Sequence, residues 1–128
     1  MPTILDLPRD EWQPYIEAAR QQTEPRELTP AERQKREDVL ARVREAAAAL
    51  KQRFRARRVY LFGSLAHAAW FTPASDVDLA VEGLSGDDYS LAWRMVEDVI
   101  GDRPVDLVVL ETIRGPLLDT IHQQGVEL

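Results

Sequence analysis

The chain has 128 residues, of which 45% are hydrophobic, and this favours one folded domain with its own apolar core. It contains no cysteine, which excludes disulfide bonds, thiolate metal ligands and cysteine catalysis. The formal net charge of −6 argues against nucleic acid as a partner, but it leaves room for a nucleotide bound at a local site. No apolar run approaches the roughly 20 residues that span a bilayer, and the first residues lack a signal-peptide pattern. We therefore expect a cytoplasmic protein without a membrane partner.

The first part of the chain, residues 1–55, is predicted to form a mostly helical N-terminal extension. Its lead-in, residues 1–28, contains a short amphipathic segment over 8–22, in which Pro14 removes an interior helix donor. The segment TEPREL at 23–28 has the composition of a linker. The role of this lead-in is left open by the sequence.

A longer helix is predicted to begin after Thr29 and to end near Arg55. Thr29 is a good N-cap, and Glu32 stands where it completes a capping box. The spacing of Asp38 and Arg42 predicts an ion pair between neighbouring turns. Apolar residues recur at helical spacing and predict one buried stripe: Val39, Leu40, Val43, Ala47, Leu50 and Phe54.

Residues 56–128 are predicted to form the core of the fold, in which strands and helices alternate. This alternation indicates an α/β (or α+β) layer arrangement. The predicted strands cover 58–63, 76–82 and 104–110, and the predicted helices cover 87–100 and 115–124.

Polar residues follow or begin the predicted strands. Gly63-Ser64 stands where the first strand ends, Asp76 and Asp78 stand at the start of the second, and Asp106 lies in the third. Because side chains alternate along a strand, Asp76 and Asp78 share one face, away from the apolar side chains between and after them. If the second and third strands are neighbours, Asp106 joins this pair.

Carboxylates held this closely call for a cation. Two of them about 4 Å apart repel by roughly 4 kcal/mol at an effective dielectric constant of 20. Mg²⁺ prefers such hard oxygen ligands and often shares them with substrate phosphates. A glycine before Ser64 allows a close approach of the backbone to phosphate oxygens, and the Ser64 hydroxyl offers a further donor. The pattern predicts a metal-dependent nucleotide site.

The segments LFGSLAHAAWFTPASDVDLAVEG and PVDLVVLE resemble the polymerase-β-like nucleotidyltransferase superfamily, and most closely its minimal nucleotidyltransferase branch. The resemblance implies a small mixed β-sheet with helices packed on it. It implies that Gly63 and Ser64 hold the triphosphate of ATP or another NTP. It also implies that Asp76 and Asp78 bind two Mg²⁺ ions, and that Asp106 contacts one metal and helps to deprotonate the acceptor.

The same resemblance implies a function and a partner. Members of this branch transfer a nucleoside monophosphate, here expected to be AMP, and stand-alone members often pair with a small helical HEPT-type protein in toxin–antitoxin modules. They modify a tyrosine on that partner, which implies an antitoxin role for this chain. Self-association is left open.

The loop between the two motifs leads to a second hypothesis. Many family members have an arginine soon after the serine and a glycine a few residues later, whereas this chain has Leu65-Ala66-His67-Ala68-Ala69. The alternative is therefore a weakly active or inactive module that binds nucleotide or neutralises a partner without turnover.

Other polar and aromatic residues are assigned mainly to structure. His67 is expected to be a partly buried polar residue, with a phosphate or base contact as the alternative, and His122 is expected at the surface. Trp70 is expected to be an anchor, with base stacking as the alternative. The basic run over 51–58 fits cations at a helix C-terminus, with phosphate or RNA contact as the alternative.

Overall fold

A computed structural model describes residues 27–128 of the chain. The helix predicted over 8–22 and most of the predicted linker lie outside these described residues. The long helix, α1, covers Pro30–Phe54 and begins with the predicted capping box. The Thr29 hydroxyl accepts from the backbone N–H of Glu32 at 3.1 Å, and the Glu32 carboxylate accepts from the backbone N–H of Thr29 at 3.0 Å. Arg55 ends the helix in a left-handed conformation with φ 59°.

Four strands of the described chain form one mixed sheet in the order β3-β2-β1-β4. The strands are β1 (Arg58–Phe62), β2 (Val77–Glu82), β3 (Val105–Val109) and β4 (Val126–Glu127). β1 runs antiparallel to β2 and to β4, whereas β2 and β3 are parallel. This mixed sheet confirms the predicted fold class, and the short β4 was not among the predicted strands.

Two further helices connect the strands. α2 covers Tyr89–Ile100 and ends at Gly101, and α3 covers Pro116–Gln124 and ends at Gly125. Both agree with the predicted helices to within two residues. The loop between β1 and β2 contains two single turns of 3-10 helix, Ser64–Ala66 and Ala68–Trp70.

The sheet is covered on both faces, although the sequence predicts an apolar layer on one. The larger core contains the stripe of α1, the inner face of α2 and the odd-numbered residues of β2: Val77, Leu79 and Val81. A smaller core under α3 contains Phe62, Ala80, Leu110, Leu117 and Ile121. Asp78 therefore shares its face of β2 with Ala80, which belongs to this smaller core, and Asp78 is itself partly buried.

α1 packs into the same core as the sheet. Its fully buried residues Val39, Val43 and Leu50 belong to the cluster that contains Leu79 and Leu107. The division of the chain at residue 55 into an extension and a core stays a prediction. Within residues 27–128, none of the helices has the length and apolar character needed to cross a membrane.

Candidate active site

Gly63 ends the first strand and lies directly against Asp78. Its backbone has φ 78°, a left-handed conformation that favours glycine. A Cβ atom placed on Gly63 would lie 2.2 Å from Oδ2 of Asp78, which is far inside van der Waals contact. The pairing of Phe62 with Asp78 in the β1–β2 ladder fixes this closeness. A glycine is needed at this position because the carboxylate occupies the space of a side chain.

Ser64 follows in a turn that a second serine supports. The hydroxyls of Ser64 and Ser75 are hydrogen-bonded at 2.9 Å, although eleven residues separate them. Ser75 has only 5% of its surface exposed, and its hydroxyl also accepts from the backbone N–H of Thr72 at 2.9 Å. Ser75 is not among the predicted site residues, and its one signal in the sequence is its position directly before Asp76.

The three acidic residues lie together at the same end of neighbouring strands. Asp78 and Asp106 are directly opposite each other in the parallel β2–β3 ladder. Asp76 immediately precedes β2 and is exposed, whereas Asp78 and Asp106 are partly buried. The second and third strands are therefore neighbours, which is the condition under which Asp106 was expected to join the other two acids, and their pairing brings Asp106 to Asp78.

The electrostatics of Asp78 reflect this crowding. Burial, the neighbouring charges of Asp106 and Asp76, and a hydrogen bond with the Asp106 carboxyl raise the pKa of Asp78 to about 7. In the absence of a cation, the Asp78 carboxyl thus keeps its proton up to near-neutral pH, next to the carboxyl of Asp106. A cation would relieve the same repulsion.

The donor chemistry of this cluster fits Mg²⁺, which takes carboxylate oxygens from the protein and other ligands from substrate phosphates or water. Among the described residues, no group of three or more His, Cys, Asp or Glu side chains is placed so that it could hold a metal ion. The fit to Mg²⁺ is therefore one of donor chemistry.

Tyr89 lies beside the acidic cluster and was also missed from the sequence. Its hydroxyl donates to the carbonyl oxygen of Leu107 at 2.6 Å, on the strand that carries Asp106. Partial burial and the charge of Asp106 raise the pKa of Tyr89. Its ring meets Trp93 edge-on, with 5.5 Å between the ring centroids.

Other candidates have structural contacts. Nε2 of His67 lies 2.9 Å from the carbonyl oxygen of Gln124, and its ring meets that of Trp70 edge-on at 4.9 Å between centroids. His122 is exposed, as expected. Arg57, in the basic run, lies within 3.7 Å of the carboxylates of Glu82 and Glu111.

Comparison with known proteins gives a family for this arrangement. Residues 45–128 match the family model described as "Polymerase beta, Nucleotidyltransferase". A solved structure described as a minimal nucleotidyltransferase is 29% identical, with a TM-score of 0.58, covering 71% of this chain and 94% of its own. A solved structure of the toxin–antitoxin MntA-HepT is 20% identical, with a TM-score of 0.45, covering 74% of this chain and 69% of its own. No curated protein sequence matches the chain significantly.

Proposed function

The chain belongs to the polymerase beta nucleotidyltransferase family, and from that premise we propose that it transfers a nucleoside monophosphate to a hydroxyl group of a partner protein. The proposed donor is ATP. The acceptor oxygen forms a bond to the α-phosphorus, the bond to the β-phosphate oxygen breaks, and pyrophosphate leaves. The acceptor proton passes to a carboxylate. A cytoplasmic location is part of the same proposal.

The observation that carries this proposal is the pairing of Asp78 with Asp106 beside Gly63. The raised pKa of Asp78, about 7, means that its carboxyl can exchange a proton for a cation near neutral pH, while the neighbouring carboxyl of Asp106 is the proposed acceptor of the hydroxyl proton. Gly63 and Ser64 stand at the end of the adjacent strand, where a triphosphate can lie against the backbone. Asp76 adds an exposed carboxylate on the solvent side.

In the proposed roles, Asp76, Asp78 and Asp106 would hold divalent metal, and Asp106 would also accept the proton of the acceptor. Bound Mg²⁺ would supply charge neutralisation for the phosphates and for the leaving pyrophosphate. Gly63 and Ser64 would bind the triphosphate. The contribution of the chain itself is to orient these groups and to hold a proton-accepting carboxylate next to the site.

The proposed acceptor is a tyrosine of a small helical protein of the HEPT type, and the chain would then act as its antitoxin. The resemblance of residues 61–83 and 104–111 to the minimal nucleotidyltransferase branch supports this partner. The site lies at one end of strands in an open arrangement, with Asp76 exposed, so an acceptor side chain from another protein can reach it.

A second candidate is binding without turnover. It is favoured by the loop at 65–69, where Leu65 and Ala66 are buried and supply packing in place of polar side chains. In this reading the chain binds a nucleotide with metal and neutralises or senses its partner by contact.

Mass spectrometry separates the two candidates. The purified chain and its co-purifying proteins are incubated with Mg²⁺ and each NTP in turn, and nucleotide adducts are sought. Adducts that disappear in Asp78→Asn but persist in Asp119→Asn, an exposed acid on α3, would support the enzyme. Metal-dependent ATP binding without any adduct favours the binding module, and the absence of metal and nucleotide binding contradicts both.

A further inference from the structure

Two arginines outside the acidic cluster hold the backbone of the segment that joins the motifs. This nucleotide loop, residues 63–76, contains Gly63 and Ser64 at its start and Asp76 at its end. Each arginine donates to a main-chain carbonyl oxygen near one end of the loop. They lie 29 and 28 residues from the carbonyls they bind, so no local spacing rule accounts for the contacts.

Arg36 holds the first end. It lies on α1 and is half-buried, and its Nε and Nη2 atoms both donate to the carbonyl oxygen of Leu65, at 3.2 and 3.0 Å. Leu65 follows Ser64 in the 3-10 turn Ser64–Ala66, and its own side chain is fully buried. Because two N–H groups of one planar guanidinium donate to the same carbonyl oxygen, they fix the orientation of the turn as well as its position. A single N–H donor would fix the position alone.

Arg103 holds the other end. Its side chain is only 6% exposed, and Nη1 donates to the carbonyl oxygen of Ser75 at 2.8 Å. Its Nε atom pairs with the Asp102 carboxylate at 3.1 Å. The same carboxylate receives Arg42 at 3.1 Å and Lys35 at 3.5 Å, and both of these residues lie on α1. The second end of the loop is thus tied to the same helix through one carboxylate.

At the base of the loop, the hydroxyls of Ser64 and Ser75 share their hydrogen bond of 2.9 Å. The two ends of the loop are therefore joined to each other, and each is tied to α1, directly by Arg36 and through Asp102 by Arg103. Charge-assisted hydrogen bonds to carbonyl oxygens are stronger than neutral ones, and two of them on a short loop suppress alternative arrangements.

We propose that Arg36 and Arg103 are positioning residues of the nucleotide site: by holding the carbonyls of Leu65 and Ser75 they keep the nucleotide loop in its binding geometry before the nucleotide arrives. They act through Ser64 and Asp76 and do not touch the reacting atoms. This inference rests on the proposed function, because it assigns the loop to nucleotide binding. Its structural half, a loop held by α1, can be measured without any activity.

The test combines four variants with two readouts. Arg36→Gln and Arg103→Gln remove the charge, and Arg36→Lys and Arg103→Lys keep a charge without the planar fork. Arg33→Gln, an exposed arginine one turn earlier that lines the same groove as Arg36, is the matched control. Amide hydrogen exchange of residues 64–75 is measured in the nucleotide-free chain, and affinity for Mg²⁺–ATP is measured by calorimetry. Where the chain turns over, KM and kcat are measured as well.

We expect faster exchange across 64–75 in both glutamine variants and an unchanged rate in Arg33→Gln. We also expect a loss of ATP affinity of roughly 10-fold, carried by KM with a smaller change in kcat, and partial recovery in the lysine variants. If a glutamine variant unfolds, the amide exchange and the ATP affinity of the lysine variant at the same position test the inference instead.

Two results would overturn the inference. Unchanged exchange in folded Arg36 and Arg103 variants contradicts the held loop, whatever the activity. Faster exchange with unchanged affinity in a chain that binds ATP contradicts the positioning role. If the wild-type chain binds no nucleotide, the proposed function fails and the positioning role with it, and the exchange data alone then report whether α1 holds the loop.

Discussion

Asp78 is the acidic residue of the site whose pKa is most clearly raised by burial and by neighbouring carboxylates. Its pKa of about 7 means that the folded chain keeps a proton there that the unfolded chain has released. A carboxyl whose pKa is raised on folding lowers stability as the pH rises from its unfolded pKa to its folded pKa. For Asp78 this window extends from about pH 4 to about pH 7. The buried Asp78 carboxyl therefore lowers the free energy of unfolding near neutral pH, as is common for residues that bind ligands.

Asp78→Asn is therefore expected to stabilise the metal-free chain at pH 8 by roughly 1–3 kcal/mol, because it removes a buried charge beside two others. The gain should shrink as the pH falls towards 4, where the wild-type carboxyl is protonated in both states. Urea denaturation at several pH values measures this gain in stability.

Adding Mg²⁺ with ATP should raise the melting temperature of the wild type and leave that of Asp78→Asn unchanged. If Asp78→Asn is no more stable than wild type at pH 8, burial and repulsion by the neighbouring carboxylates do not destabilise the charged form of Asp78.

Gly63→Ala tests the close approach of the backbone to Asp78. The added methyl group would overlap Oδ2 of Asp78, and the left-handed φ of 78° adds strain of roughly 1–2 kcal/mol. We expect lower stability and loss of nucleotide transfer by about 100-fold, because the carboxylate must move.

Gly86→Ala is the matched control for this substitution, since nothing lies within 4 Å of a Cβ placed there. It should leave both thermal stability and transfer close to wild type. Equal behaviour of the two variants would mean that Gly63 has no special role.

For single residues, the sequence predicted a second strand that begins at Asp76, whereas β2 begins at Val77 and Asp76 immediately precedes it. Which strands are neighbours could not be read from the sequence, and the parallel pairing of β2 with β3 is what places Asp106 opposite Asp78. Ser75 and Tyr89 were missed for a physical reason. Their contacts, to Ser64 and to the carbonyl oxygen of Leu107, depend on the path of loops that no periodic pattern describes.

Among the elements, α1 was predicted most fully, because its signals are local. The capping box of Thr29 and Glu32 and the apolar stripe from Val39 to Leu50 are both present. The predicted pair of Asp38 and Arg42 was wrong: Arg42 pairs with Asp102 and donates to the carbonyl oxygen of Ile100, and Asp38 accepts from Gln34. Two acceptors outside the helix, the Asp102 carboxylate and the Ile100 carbonyl, together compete well with an exposed pair between neighbouring turns, which contributes only about 0.5 kcal/mol.

The capping box of α1 should contribute measurably to stability. Thr29→Ala removes the acceptor for the backbone N–H of Glu32, and we expect it to cost about 1 kcal/mol in the free energy of unfolding. Thr29→Ser keeps the hydroxyl and should lie within a few tenths of a kcal/mol of wild type. Urea denaturation of the three chains measures the difference. An equal loss in both variants would place the effect in the methyl group of Thr29 instead of in the cap.

For the whole molecule, the organising feature is that one helix supports both sides of the site. α1 packs on the face of the sheet opposite Asp78, and it also reaches the nucleotide loop through Arg36 and, by way of Asp102, through Arg103. The sequence predicts α1 as part of an N-terminal helical extension of a single domain, and helical periodicity does not report what a helix packs against. Hydrogen bonds that span about 30 residues or more are beyond any local pattern.

Asp102 joins these parts, and its substitution is the corresponding test. The guanidinium groups of Arg103 and Arg42 lower the pKa of Asp102 well below its usual range. A carboxyl whose pKa is lowered on folding stabilises the chain above its unfolded pKa, and that contribution is lost as the pH falls towards its folded pKa. Because this carboxylate is largely solvent-exposed, screening keeps the contribution small.

We expect Asp102→Asn to destabilise the chain at pH 7 by about 1 kcal/mol or less, and to speed amide exchange across residues 64–75, because Arg103 loses the charge that orients it. The difference in stability between the variant and wild type should become smaller below about pH 4, where the Asp102 carboxylate begins to be protonated. It should also become smaller in 1 M salt, where the ion pairs are screened. Asp98→Asn, which removes an exposed acid on α2, is the control and should show neither effect. A different outcome is that Asp102→Asn leaves amide exchange of the loop unchanged while Arg103→Gln accelerates it. In that case α1 is not connected to the second end of the loop through the Asp102 carboxylate, and Arg103 holds the carbonyl of Ser75 by itself.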